Sequence, residues 1–256
     1  MPQARATYLQ QLPIIWETGH WTPGATEPRP YPPGSQKKGV IWKRTRQSHR
    51  DKQDPQQRQF KQADLEMLEL AAAAGEIELK YLDESGFCMW SPVSYTYFPR
   101  GQQKRMQQTR RRGRRLSILG LLQPLISFVY GLVIGSFTSK SYLKMMQQQA
   151  SLASKHLAQT GCITVVVQDN GPIHTSSEVR QRWLEWEKQG LYFFFLPKYC
   201  SEMNQIELEW QHLKAEELVG LMFEDELDLA YAVINGVEAR GKRGNYTTER
   251  FKFDSG

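Results

Sequence analysis

Three carboxylates stand where a metal site can be built. Asp83 follows the apolar-alternating stretch IELKYL, Asp169 follows ITVVVQ, and Glu207 lies in NQIELEW, with thirty-seven residues between the last two acids. Hard divalent cations take a few carboxylate oxygens and keep several waters, so acids from separate elements that meet at one place suit Mg²⁺ or Mn²⁺. Two such ions about 3.5 to 4 Å apart can activate an attacking hydroxyl and stabilise a leaving 3′ oxygen in phosphodiester chemistry. Each acid also has an ordinary reading. Asp83 suits a turn after its strand, Asp169 opens an Asn-Gly turn, and Glu207 with Asn204 has capping-box spacing, with Glu209 as a nearby competitor. The functional reading requires all three to converge.

The elements around them are legible. Thr164 to Val167 are four consecutive β-branched residues ended by Gly171 and Pro172, which predicts a buried strand carrying Asp169 to its C-terminal edge. In open α/β sheets that edge collects ligands. A strand over 76–82 alternates Ile77, Leu79 and Tyr81 with polar neighbours, which puts Asp83 on their face. Asp54 as N-cap and Pro55 at the first helical position predict a helix running to Gly75. Strands over 116–122 and 125–135, a helix from Ser139 with Leu143, Met146, Ala150 and Ala153 in the core, and a helix begun by a Thr175 to Glu178 capping box follow. A strand over 191–196, a helix from Asn204, another over 224–235 and a polar tail complete the chain. Hairpin strands followed by alternating strands and helices imply an α/β fold, a mixed sheet flanked by helices.

The 256 residues carry a net charge of +6, and the charge is concentrated. KKGVIWKRTRQSHRDK (37–52) contains Lys43, Arg44 and Arg46, and residues 100–115 hold eight cations and no acid, among them Arg110, Arg111, Arg112, Arg114 and Arg115. Such blocks follow a phosphate backbone better than they read bases. Cys88, Cys162 and Cys200 are odd in number and form no CxxC pair, which excludes a disulfide framework and a zinc site. A cytoplasmic, nucleoid-associated location is expected. Residues 117–139 lack charge and imitate a membrane span after RRRGRR, but Gln123, Pro124 and three glycines fit two buried strands better. His174 stands five residues beyond Asp169, and Asn170 and Asn204 flank two of the acids. These three are candidate accessory groups.

LDESGF (82–87), QDNGPIH (168–174) and LPKYCSEMNQIELEWQHLK (196–214) resemble, in order and spacing, the three signature blocks of the mariner-like DDE transposases and their bacterial insertion-sequence relatives. Gln205 stands where that family has proline, and Cys200-Ser201 where it has Ser-Pro. The resemblance implies an RNase H-like fold with Asp83, Asp169 and Glu207 as catalytic acids holding two Mg²⁺ (or Mn²⁺). It implies element ends and target DNA as partners, no membrane, and a homodimer on DNA. The organisation it suggests is an N-terminal remnant of a helix-turn-helix region (1–53), a connecting helix (54–75), a catalytic domain (76–240) and a tail (241–256). Two other classes fit the same residues: a decayed DNA-binding remnant, and a cellular RNase H-like nuclease or resolvase.

Overall fold

A computed structural model of the chain describes residues 50–90 and 113–253. Nearly all of the described residues belong to one unit, which begins at Gln53. It opens with α1 (Pro55–Ala73), where the Asp54 side chain accepts the N–H groups of Gln56 and Gln57 and Pro55 fills the first turn, as the local sequence requires. Gly75, at φ +75°, turns the chain back into the sheet.

Among the described residues six strands form one sheet in the order β5-β4-β1-β2-β3-β6. β1 (Ile77–Phe87) pairs antiparallel with β2 (Leu116–Gln123), and β2 with β3 (Ser127–Ile134). On the other side β4 (Ile163–Gln168) and then β5 (Leu191–Phe195) join in parallel. The uncharged stretch at 117–139 is therefore largely the β2–β3 hairpin, closed by a turn in which Ile126 N–H donates to Gln123 O at 3.0 Å. No helix among the described residues is long and apolar enough to cross a membrane.

One face of the sheet packs against α2 (Ser139–Thr160) and α3 (Ser177–Lys188) through Leu82, Leu119, Leu121, Tyr142, Met146, Val166 and Trp186. The opposite face carries Leu79, Tyr81, Ile118, Val165 and Val167 against Leu65 of α1, Ile206 and Trp210 of α4 (Ile206–His212) and Val233 of α5 (Glu226–Gly244). α4 continues as one π-helical turn, Leu213–Glu217.

Four expectations need correction. β1 does not stop at Leu82: it runs on to Phe87 because Asp83 to Phe87 pair with Gly120 to Leu116, so Asp83 is inside a strand and not in a turn. The helix after Asp169 is capped by Ser176, whose hydroxyl accepts Val179 N–H, whereas Thr175 Oγ1 is engaged with Gly171 O at 3.1 Å. The helix expected over 224–235 continues to Gly244, where Asn245 in the left-handed region stops it. The polar tail is not frayed: β6 (Thr247–Phe251) pairs in parallel with β3, and Phe253 covers Gly131.

Candidate active site

The parallel register between β1 and β4 carries two of the acids to the same end of the sheet. Tyr81 is the Cα partner of Val167, and both side chains belong to the core on the α1/α4/α5 side. Asp83 lies two residues past Tyr81 on that face, and Asp169 is the first residue after β4, just beyond the paired register. Both acids are therefore carried to the same end of neighbouring strands, which are about 4.8 Å apart.

The third acid lies on α4, which is anchored to β1 at two points. Asn204 Nδ2 donates to Leu82 O at 2.9 Å, and Trp210 Nε1 donates to Asp83 Oδ2 at 2.9 Å. Glu207 lies midway between these two anchors and one helical turn from Trp210, so its side chain is turned toward β1. The capping reading of Glu207 fails here. Asn204 spends its amide on Leu82, the first turn closes through its backbone carbonyl (Glu207 N–H, 3.1 Å), and α4 has no side-chain cap at Gln205. Glu209 is withdrawn from competition by Arg240 Nε at 2.6 Å and Tyr246 OH at 3.0 Å.

The three acids feel one another. Burial first, and then the negative charge of Glu207 and of Asp169, push the Asp83 carboxyl up to about 7 against the Trp210 and backbone hydrogen bonds. Burial raises Glu207 as well, with Lys214 and Ser201 opposing and Asp169 adding to the rise. Asp169 goes the other way. Its hydrogen bond from His174 (Nδ1 to Oδ1, 2.7 Å) holds it below the usual carboxylate range. As they stand, no three His, Cys, Asp or Glu side chains among the described residues are gathered closely enough to hold an ion. Two of the acids are held by Trp210 and His174. The donor set fits a hard divalent ion: oxygen ligands only, mutually repelling, with one member kept protonated near neutrality.

His174 is more than a bystander. It is 3% exposed, packed at a tilt against Tyr142 with ring centroids 4.9 Å apart, and its Nε2 lies 3.6 Å from Glu84 Oε1. Burial alone would lower its pKa, but Asp169 and Glu84 outweigh that and raise it to about 9, so at neutral pH it is a cation clamped between two carboxylates. Asn170 Nδ2 donates to Leu196 O at 2.7 Å and ties the Asp169 loop to the end of β5.

Trp210 and Lys214 are not among the residues the sequence singled out. A buried indole needs a partner for its N–H, and its spacing of three from Glu207 points to Asp83 as that partner. Lys214, seven residues after Glu207, reaches over the Phe87 ring at 5.6 Å and is electrostatically coupled to Glu207, Arg115 and Asp83. Of the basic residues expected to bind DNA, Arg114 and Arg115 are exposed. Arg114 lies 3.8 Å from Glu226, and the Arg115 guanidinium covers Gly86. Lys43, Arg44, Arg46, Arg110, Arg111 and Arg112 lie outside the described residues.

Gly120, the register partner of Asp83, makes the Trp210 contact possible. A Cβ there would stand 2.5 Å from Trp210 Cη2 and 2.8 Å from Phe128 Cε2. Gly120→Ala is expected to push the indole off Asp83 and to cost about 1–3 kcal/mol of stability through overpacking. Urea melts give the stability change, and a shift in tryptophan emission reports the displaced ring.

A sheet of this order, three antiparallel strands extended by two parallel ones and flanked by helices, with one acid inside β1 and another just past the end of β4, defines an RNase H-like domain. The chain belongs to the DDE superfamily endonucleases, which it matches over residues 78–229. Its fold is similar to the Mos1 transposase paired-end complex with left transposon end (TM-score 0.54, 15% identity, 82% of this chain and 66% of that one). It is also similar to the Mos1 mariner paired end complex with Mn (TM-score 0.57, 13% identity, 82% and 66%) and to the one with Mg (TM-score 0.57, 15% identity, 82% and 64%). The chain thus spans just under two thirds of the length of these transposases, and at such identities the likeness is one of fold. Among curated proteins, none matches the chain.

Proposed function

We propose that this chain is the catalytic part of a mariner-like DNA transposase, cleaving element ends and joining the freed 3′-OH to target DNA. The observation that supports the reading is that Asp83 and Asp169 lie at the same end of neighbouring strands and that the charges of Glu207 and Asp169 both act on Asp83. Asp83, Asp169 and Glu207 would hold two Mg²⁺ or Mn²⁺ ions. When bound, the ions supply activation of the attacking hydroxyl and charge stabilisation at the leaving 3′ oxygen. Trp210 and Asn204 fix Asp83 and the start of α4, and His174 fixes the Asp169 carboxylate. Lys214 and Arg115 offer positive charge beside the acids, where the phosphate next to the scissile bond would lie. The basic segment 37–52 and Arg110 to Arg115 would track the backbone further out, and residues 1–53 would be what remains of a helix-turn-helix region. The protein would act in the nucleoid, as a homodimer on DNA. Mn²⁺- or Mg²⁺-dependent nicking of plasmid DNA, followed by strand joining, tests the reading.

A second reading, a DNA-binding chain without turnover, draws on the absence of a close cluster of three His, Cys, Asp or Glu side chains among the described residues. It predicts DNA affinity with no nicking at any Mn²⁺ concentration.

Both readings require salt-sensitive binding. If about six phosphates are neutralised, affinity should fall on the order of 10³-fold between 50 and 200 mM salt. Lys214→Ala should lower the salt slope by about 0.9 without changing sequence preference. Fluorescence anisotropy of a labelled duplex measures both, and a flat salt response would remove the basic blocks as a binding surface.

A further inference from the structure

The segment between β5 and α4 crosses the acid end of the sheet. Leu196 N–H donates to Gln168 O at 2.9 Å and Leu196 O accepts from Asn170, so the segment starts beside Asp169. Further on, the Ser201 side chain hydrogen-bonds the Glu207 carboxylate, and Asn204 reaches Leu82 O. Between those points Pro197 to Cys200 form a turn, closed by Cys200 N–H on Pro197 O at 3.4 Å. Tyr199, the third residue of that turn, has φ +63° and is 50% exposed. Lys198 beside it is exposed as well.

A positive φ at the third position of a turn is the place of glycine or asparagine, and a bulky side chain there is strained. Among the described residues only two other non-glycine residues share this conformation: Leu125 between β2 and β3, and Asn245, which stops α5. The hydrogen bonds that hold the turn come from main-chain atoms of residues 197, 199 and 200: Cys200 N–H on Pro197 O, and Tyr199 O accepting from Gln53 Nε2 at 2.7 Å. A glycine at 199 would make the same bonds without the strain. What tyrosine adds is a flat ring, half in solvent, two residues from the serine that touches Glu207.

We propose that Tyr199 is a stacking platform for an unpaired nucleobase of the DNA strand brought to the acids, with Lys198 on the adjoining phosphate. This rests on the reading of the chain as one that cleaves DNA. Inside a duplex both faces of a base are covered by its neighbours, so a protein ring can receive only a base at a strand end or one displaced from its pair. Both arise where a strand is cut and its 3′ end is passed on. Stacking is tolerant of sequence and releases no counterions, so it adds affinity without adding to the salt slope.

Binding of the full chain, in EDTA, to a labelled duplex whose unpaired 3′ tail carries 2-aminopurine tests the proposal. The wild type should bind this duplex more tightly than a blunt one and quench the 2-aminopurine. Tyr199→Leu should lose about 10-fold in affinity for the tailed duplex, together with the quenching, at an unchanged salt slope. Tyr199→Phe and Tyr199→Trp should keep both, and Lys198→Ala should lower the slope by about 0.7. Tyr199→Gly should lose binding as Tyr199→Leu does, yet melt about 2–4 °C above the wild type, which separates the missing ring from a damaged fold. If the wild type binds DNA and Tyr199→Leu binds and quenches equally, or if Tyr199→Gly melts lower than the wild type, the platform is overturned and the transposase reading stands. A wild-type chain that binds no DNA would overturn both.

Discussion

Asp169→Asn is expected to abolish metal-dependent nicking of supercoiled plasmid, by roughly 10³-fold or more, while leaving the fold intact. An interaction worth several kcal/mol of transition-state charge stabilisation corresponds to a factor of that size. The fold should survive because asparagine keeps the Oδ1 acceptor that meets Gly171 N–H at 2.9 Å and the His174 ring at 2.7 Å. Only the negative charge is lost. Glu207→Gln should behave in the same way, since the first turn of α4 closes through Asn204 O and not through the Glu207 side chain. Glu209→Gln makes the contrast. It weakens the Arg240 and Tyr246 contacts and should lower stability, yet it should leave nicking in place. Loss of activity in the Glu209 variant, with activity retained in the Glu207 variant, would move the third acid.

The second large effect is on stability, where metal and pH are linked. Asp83 titrates near 7 in the folded metal-free chain against an ordinary 3.8. Between those values the folded state holds a proton that the unfolded state has released, so stability falls as pH rises through the window, by on the order of 4 kcal/mol at most. His174, raised from 6.5 to about 9, contributes stability that is complete below 6.5 and lost as pH climbs to 9. Asp169, lowered, contributes above its ordinary value and loses that contribution only in stronger acid. Without added divalent ions the chain should therefore be most stable at about pH 4 and lose stability as pH rises from there toward 9. A bound divalent ion favours the ionised carboxylates and reverses the Asp83 contribution. Added Mg²⁺ at about 100 times its dissociation constant should then stabilise by about 2.7 kcal/mol, several degrees in Tm at pH 8, and by much less at pH 5. Thermal melts across pH with and without Mg²⁺ measure this. An equal Tm rise at both pH values would separate the ion from Asp83.

Much of the site was readable because its parts are locally encoded. The β-branched run 164–167 fixes β4, the turn after it fixes the place of Asp169, and Asp54-Pro55 fixes the start of α1. The even spacing of Ile77, Leu79 and Tyr81 placed Asp83 on the correct face. What stayed hidden depends on partners distant in sequence. β1 beyond Leu82 reads D-E-S-G-F, poor strand material, and is held extended by β2. β6 is a polar edge strand whose only partner is β3, and α5 passes through Gly236 and Gly241, which local propensity scores as interruptions. At Gly236 and Gly241 a side chain would run into Leu213 and Thr248, so these glycines serve close packing and not a break. The role of Asn204 was invisible for the same reason. Its spacing to Glu207 imitates a capping box, and only the approach of Leu82 O decides between the two.

The most direct measurement is the anomalous difference map of a crystal soaked in Mn²⁺ at pH 8. It should show manganese between Asp83 and Asp169 with Glu207 turned toward it, the carboxylates having left their metal-free partners. Peaks only at the surface, with Trp210 still on Asp83 and His174 still on Asp169 at saturating Mn²⁺, would contradict a shared metal site.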